Sequence, residues 1–235
     1  SDLEQTMHLL LTKCRRSDGG LWHNYTKGTA TINGYLEDYS FTIEALTTLC
    51  QTTFDEAWLK EAHALAEYVI AHFHDGKSGM FWFTSDIDPP LIARRMEVND
   101  NVIPASNSSM AKALFTLGHL YDGHRLLDIS KQQLNNVHND MAGYPGGYSN
   151  WALLLMDHVY PWYEIAITGP QALERRREFA THYIPGRVFV GSENKSSLPL
   201  LEDKFMGDAT TIFVCENKVC QLPTTAVKLA LEQLR

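Results

Sequence analysis

Cys14-Arg15-Arg16-Ser17-Asp18-Gly19-Gly20-Leu21-Trp22-His23 has a counterpart about 60 residues on, His74-Asp75-Gly76-Lys77-Ser78-Gly79-Met80-Phe81-Trp82-Phe83. In both stretches an amphipathic run stops at Asp-Gly, which breaks the helical period, and an aromatic extended segment follows. A Gly-rich aromatic turn recurs at Gly143-Tyr144-Pro145-Gly146-Gly147-Tyr148. A period of two helices plus connections predicts helical hairpins stacked as a toroid or solenoid. The hairpins are less uniform than tetratricopeptide repeats, whose period is about 34 residues.

Working outward, the apolar spacing supplies the helices between these stops. Residues 1–16 have Ser1 and Glu4 at capping-box spacing and Leu3, Met7, Leu10, Leu11 and Cys14 on one face. Residues 34–53 carry a stripe of Leu36, Tyr39, Ile43, Leu46, Leu49 and Cys50. Asp55 is placed to cap a helix over 56–74, with Trp58, Ala62, Leu65, Ala66, Val69 and Phe73 inward. After a loop at 85–104, helices are expected at 106–121, 124–140 and 148–159. Near residue 162 the period changes. Tyr163–Ile167, Arg187–Val190 and Thr210–Val214 read as strands, and 171–182 and 223–235 as helices, Pro223 lying near the start of the last. The expected architecture is mainly α: a partial (α/α) toroid of about three helical hairpins over 1–161, then a small α/β C-terminal subdomain over 162–235 with a parallel or mixed sheet.

The composition narrows the function. The chain has 235 residues, 44% of them apolar and 20% charged, which predicts a folded chain with a core. A net charge of −8 and the lack of a basic run argue against a nucleic-acid surface. No run of 18 apolar residues exists to span a membrane. No signal peptide is read, and the start at Ser1 rather than Met points to a processed product or an expressed fragment. The four cysteines are scattered, as expected in a reducing, cytoplasmic setting. Cys215 and Cys220 have four residues between them, where thioredoxin-type chemistry uses two, so both are expected to be structural thiols. The ten histidines form no metal motif, His72, His74 and His119 included, so neither metal nor cofactor is expected. There is no Gly-rich phosphate loop and no Gly-x-Ser-x-Gly elbow.

Three polar clusters are candidate chemistry. Gly34-Tyr35-Leu36-Glu37-Asp38-Tyr39 sets two carboxylates and two aromatics at a helix start. The plain reading is that acids favour the helix dipole. The functional one is that Glu37 and Asp38 face the ring centre as acid and base, with Tyr39 a platform for a sugar face. Adjacent helical residues point about 100° apart, so the two acids should not share one role. Trp22-His23 suits a pocket wall. Arg94, Glu97 and Asp100 lead through Pro104 to Asn107, and Ser106 or Asn107 is placed to cap the following helix.

The order Asp-Gly-Gly-Leu-Trp-His (18–23), Leu-Glu-Asp-Tyr (36–39), Glu97-x-x-Asp100 leading to Pro104 and Asn107, then Phe213-Val214-Cys215 and Cys220-x-x-Pro223, resembles the YyaL family, also called spermatogenesis-associated thioredoxin-like proteins. The resemblance spans nearly the whole chain. It implies a six-hairpin toroid similar to N-acylglucosamine 2-epimerases and six-hairpin glycosidases, of which this chain is the C-terminal half. It also implies a thioredoxin-like domain in the full-length parent that is not present here. Two departures fall in the candidate loop. Met96 stands where the family usually has Lys, and Pro104-Ala105-Ser106-Asn107 replaces Pro-Ser-Gly-Asn.

Three functions compete. In a sugar isomerase/epimerase- or glycosidase-like protein, His23, Glu37, Asp38, Glu97 and Asp100 would be catalytic, and Trp22, Tyr39, Trp82, Arg94 and Asn107 would bind substrate. A non-catalytic scaffold would serve the thioredoxin-like domain and self-associate through exposed hairpin edges. A sugar-binding module would hold its ligand without turnover.

Overall fold

The computed structural model describes residues 2–89, 92–121 and 123–234. The Ser1 half of the expected capping box lies outside them. The helices are α1 (Asp2–Lys13), α2 (Leu36–Thr53), α3 (Glu56–His72), α4 (Ser106–Tyr121), α5 (His124–Met141) and α6 (Ser149–Val159). A small sheet region follows: β1 (Tyr163–Thr168), α7 (Ala172–Phe179), β2 (Arg187–Ser192), β3 (Thr211–Glu216), β4 (Val219–Cys220) and α8 (Val227–Glu232). The fold is mainly α with a small α/β part.

Each hairpin packs on itself, α3 on α2 and α5 on α4, while α2, α4 and α6 are successive neighbours. As the sequence predicts, the Asp55 carboxylate accepts from the Ala57 N–H (2.9 Å) and caps α3. The repeat is also structural. The Trp22 N–H donates to the Cys14 carbonyl (2.7 Å), and the Trp82 N–H to the Phe73 carbonyl (2.8 Å). Each aromatic segment thus folds back on the end of the preceding helix. Each is then held by the next helix of the α2–α4 layer. The Leu21 N–H donates to the Tyr39 hydroxyl (2.7 Å), and the Phe81 N–H to Asn107 Oδ1 (2.8 Å).

The sheet order is β2-β1-β3-β4, with β1 parallel to β2 and antiparallel to β3. Central β1 is buried along its whole length, and alternate residues serve opposite faces. Ala166, Val188, Val190 and Phe213 join the helical core, while Ile165, Ile167, Phe189 and Ile212 pack with Ala172 and Phe179 of α7 and Val227 and Ala230 of α8. The sheet therefore lies between the hairpins and α7/α8. A Cβ on Gly191 would stand 2.2 Å from the Phe54 ring, so glycine there lets the end of α2 press against β2. Buried Glu164 of β1 ties the layers together, accepting from the Lys218 N–H (3.0 Å) and pairing with His119 Nδ1 of α4 (3.1 Å).

One expectation is corrected. Cys215 and Cys220 are joined in a disulfide rather than standing as thiols, and only Cys14 and Cys50 are free among the described residues. Asn217 and Lys218 both have positive φ (50° and 67°), a two-residue turn that sets Cys215 directly opposite Cys220 in the β3–β4 ladder. The spacing of four is a hairpin spacing, not a motif of the thioredoxin kind.

Burial pushes the Asp157 carboxyl of α6 up to about 6, against the opposing charges of Lys112, His119 and Arg187. Between its ordinary value of 3.8 and about 6 the folded state holds the extra proton, so stability falls as pH rises through that window. Asp157→Asn should therefore be more stable than the parent above pH 6 by about 1–2 kcal/mol, after allowing for solvent screening of its exposed part. The advantage should vanish below about pH 4, a comparison that thermal melts at both pH values make directly.

Candidate functional site

Two helix starts and two aromatic segments meet at one end of the α2–α4 layer. At the α2 start, the Asp38 carboxylate accepts from the Tyr35 N–H (2.8 Å), satisfying one of the open donors of the first turn. The same carboxylate meets His23 Nδ1 at 3.0 Å. With Nδ1 donating to Asp38, Nε2 is left with its lone pair, the arrangement of an oriented acid–base imidazole.

Glu37, one residue earlier, is half-buried. Burial, then the neighbouring charges of Asp38 and Glu97, raise its carboxyl above the ordinary value, with His23 and Arg95 opposing. Glu97 also supports the α4 start, where Oε2 accepts from the Ser106 N–H (3.2 Å). Beside these groups runs an aromatic ladder. The His23 ring lies 5.0 Å from Tyr35, and Tyr35 stacks on Phe83 at 4.9 Å and 15°. The Arg95 guanidinium covers Phe83 at 4.5 Å. The site thus offers two proton-transfer groups of different kinds, a cation and stacked rings.

His23, Glu37, Asp38 and Glu97 are the expected residues that come together here. Asp100 is buried, and its carboxylate accepts from the Ala105 N–H (2.9 Å), the Ser108 hydroxyl (2.6 Å) and the Asn150 N–H (2.8 Å). Asn107 is also buried. It bonds the Phe81 N–H and carbonyl and the Glu97 carbonyl. The expected cap of α4 by Ser106 or Asn107 is therefore supplied instead by Asp100 and Glu97 from the preceding loop. Tyr39 is fully buried, stacked on Tyr68 (5.5 Å), and burial pushes its phenol up. Trp22 lies under the Arg16 guanidinium (4.7 Å). Trp82 and Arg94 form a cation–π pair of their own (4.9 Å), and Arg94 also donates to the Thr84 carbonyl.

Phe83 and Arg95 were missed by sequence reasoning, and Tyr35 was read only as one of the two aromatics of its cluster. Trp82 pairs with Arg94 and Phe83 with Arg95, so neighbouring residues of each dipeptide have different partners. The Phe83 N–H donates to the Arg95 carbonyl (2.9 Å), which sets these two side by side. His72 also has a partner that spacing did not show, Asp86 at 2.9 Å. Among the described residues no group of three side chains could hold a metal. No helix is long and apolar enough to cross a membrane, among those residues.

No known protein-family profile matches the chain. Spermatogenesis-associated protein 20 of Homo sapiens is 26% identical over 205 residues, a match covering 82% of this chain and 26% of the human protein. The proteins of that name from Mus musculus and Rattus norvegicus match with the same identity and coverage. The chain is thus similar to spermatogenesis-associated protein 20, and spans about a quarter of the length of these curated relatives.

Proposed function

We propose that residues 1–161 form part of an (α/α) toroid, with 162–235 as an α/β subdomain, and that the α2–α4 end is a carbohydrate site. The reaction that fits it is proton transfer on a sugar, as in an isomerase or epimerase. The observation that carries this reading is the half-buried Glu37 carboxyl, raised in pKa, beside the oriented His23–Asp38 pair. Isomerisation needs one group to remove a proton and another to deliver one, and a half-buried carboxyl and an imidazole at one helix start can divide those roles. The Tyr35–Phe83 stack supplies apolar rings for a sugar face, and Arg95 and Glu97 supply hydrogen bonds to its hydroxyls.

A non-catalytic scaffold is the second reading, favoured by one observation. Leu153, Met156, Val159 and Tyr160 of α6 and its end are each more than half exposed, and supply an apolar edge for a further hairpin, a second copy or a thioredoxin-like domain. A panel of mono- and disaccharides, followed by NMR on the chain, separates the two. The carbohydrate reading expects at least one sugar to broaden on binding and to give new epimer or product signals. A panel in which no sugar binds would sink it and leave the scaffold.

A further inference from the structure

A polar cavity of about 330 Å³ lies away from the α2–α4 loop end, where the hairpins meet the sheet. Its wall includes Glu44 of α2, Lys112 of α4, Asp157 of α6, Trp162, Arg176 of α7 and Arg187 of β2. Three cations and two acids thus surround one space.

The two guanidiniums are the informative feature. Both lie over the Phe189 ring, Arg176 at 4.2 Å and Arg187 at 5.7 Å from its centroid. Burial, and then the like charge of Arg187, lower the proton affinity of Arg176. The Arg176 Nε donates to the Gln51 carbonyl (2.8 Å), which fixes the direction of its fork. Among the described residues, neither guanidinium has a carboxylate within ion-pair distance. Two guanidiniums with no carboxylate in contact, one held in direction by a backbone carbonyl and the other balanced only at longer range by Asp157, match an oxyanion, which their fork geometry binds in bidentate fashion.

Glu44 and Trp162 line the same cavity. Glu44 Oε1 and Trp162 Nε1 are both buried with no hydrogen-bond partner. Unmade hydrogen bonds at buried atoms cost about 1–3 kcal/mol each, and a side-chain rotation towards the cavity would bring this acceptor and this donor to a ligand hydroxyl.

We propose that this cavity binds a small organic oxyanion on a hydroxylated carbon frame, its anionic group between Arg176 and Arg187 and its hydroxyls on Glu44 and Trp162. The anionic group is a phosphate ester or a carboxylate. The site is distinct from the carbohydrate site proposed above, and its test does not depend on that reading.

Trp162 in the wall makes binding visible by fluorescence. The chain is titrated with glucose 6-phosphate, glucuronate, inorganic phosphate and glucose, alongside Trp162→Phe to assign the signal and Arg187→Gln to remove one guanidinium. The Arg187 side chain makes no hydrogen bond or ion pair among the described residues, so Arg187→Gln should still melt cooperatively, shifted by no more than a few degrees through the loss of its charge opposite Asp157. The proposal expects saturable binding of glucose 6-phosphate or glucuronate, and the tighter of the two identifies the anionic group. It expects loss of the signal in Trp162→Phe and at least about tenfold weaker binding to Arg187→Gln, the scale of one charged hydrogen bond. Equal binding to Arg187→Gln, glucose binding as well as the anions, phosphate alone binding, or no binding at all would each overturn it.

Discussion

Asp100→Ala is expected to lower the stability of the chain by about 3–5 kcal/mol, because it strands several buried donors at once. Three groups from three places converge on this carboxylate: the Ala105 N–H just before α4, the Ser108 hydroxyl within α4, and the Asn150 N–H at the start of α6. Asn150 Nδ2 donates in turn to Ser108 Oγ (3.0 Å), and Asn150 Oδ1 accepts from Lys112 (3.1 Å), so the network reaches across the helix layer. Alanine removes the acceptors and leaves the donors away from water. Asp100→Asn keeps one oxygen but turns an NH₂ towards donors, and should fall between the parent and Ala. Urea unfolding reads both. A loss under about 1 kcal/mol in Asp100→Ala would mean that water replaces the carboxylate, and would return Asp100 to the candidates for direct chemistry.

Glu37→Gln should reduce sugar turnover by about a hundred- to ten-thousand-fold while leaving sugar affinity within a few-fold of the parent. Glutamine keeps the shape and the hydrogen bonds but cannot carry the proton. Because burial and the charges of Asp38 and Glu97 raise the Glu37 pKa, the parent should show an acid-limb transition above the ordinary glutamate value, and Glu37→Gln should lack it. Asp38→Asn tests the pair from its other side. It leaves His23 without an anionic partner at Nδ1, and should lower turnover as well. The measurement is kcat and KM against pH for the sugar that the panel identifies. Equal loss of affinity in Glu37→Gln would instead mark Glu37 as a binding group.

How much of this was legible in the sequence follows from the range of each signal. The helix stops at Asp18 and Asp75 act locally, so the repeated helix-and-segment unit reads directly, and the same holds for the Asp55 cap. The role of the conspicuous polar residues did not. Tyr39 and Asn107 look like pocket groups in a string of letters, yet they occupy matching places in the repeat, where each clamps a backbone N–H. Asp100 could not be told from Glu97 because its donors include Asn150, fifty residues on. Phe83 and Arg95 were hidden behind Trp82 and Arg94 because choosing between neighbours requires the register of an irregular segment. The polar cavity was out of reach for the same reason at longer range. Glu44 and Arg187 meet there only because β2 packs on α2, and no local pattern encodes that.

The most direct test of the central claim is a carbon-13 NMR titration of the chain with a saccharide that binds. The Glu37 carboxyl and the His23 ring carbons are followed as the sugar is added, with pH titrations before and after. The account predicts that the largest shifts fall on Glu37 and His23, with Tyr35 and Phe83 next, and that the Glu37 pKa, already raised, changes when the sugar is bound. Saccharide binding that leaves the Glu37 and His23 signals in place, with shifts confined to the Arg176–Arg187 cavity or the α6 edge, would contradict it.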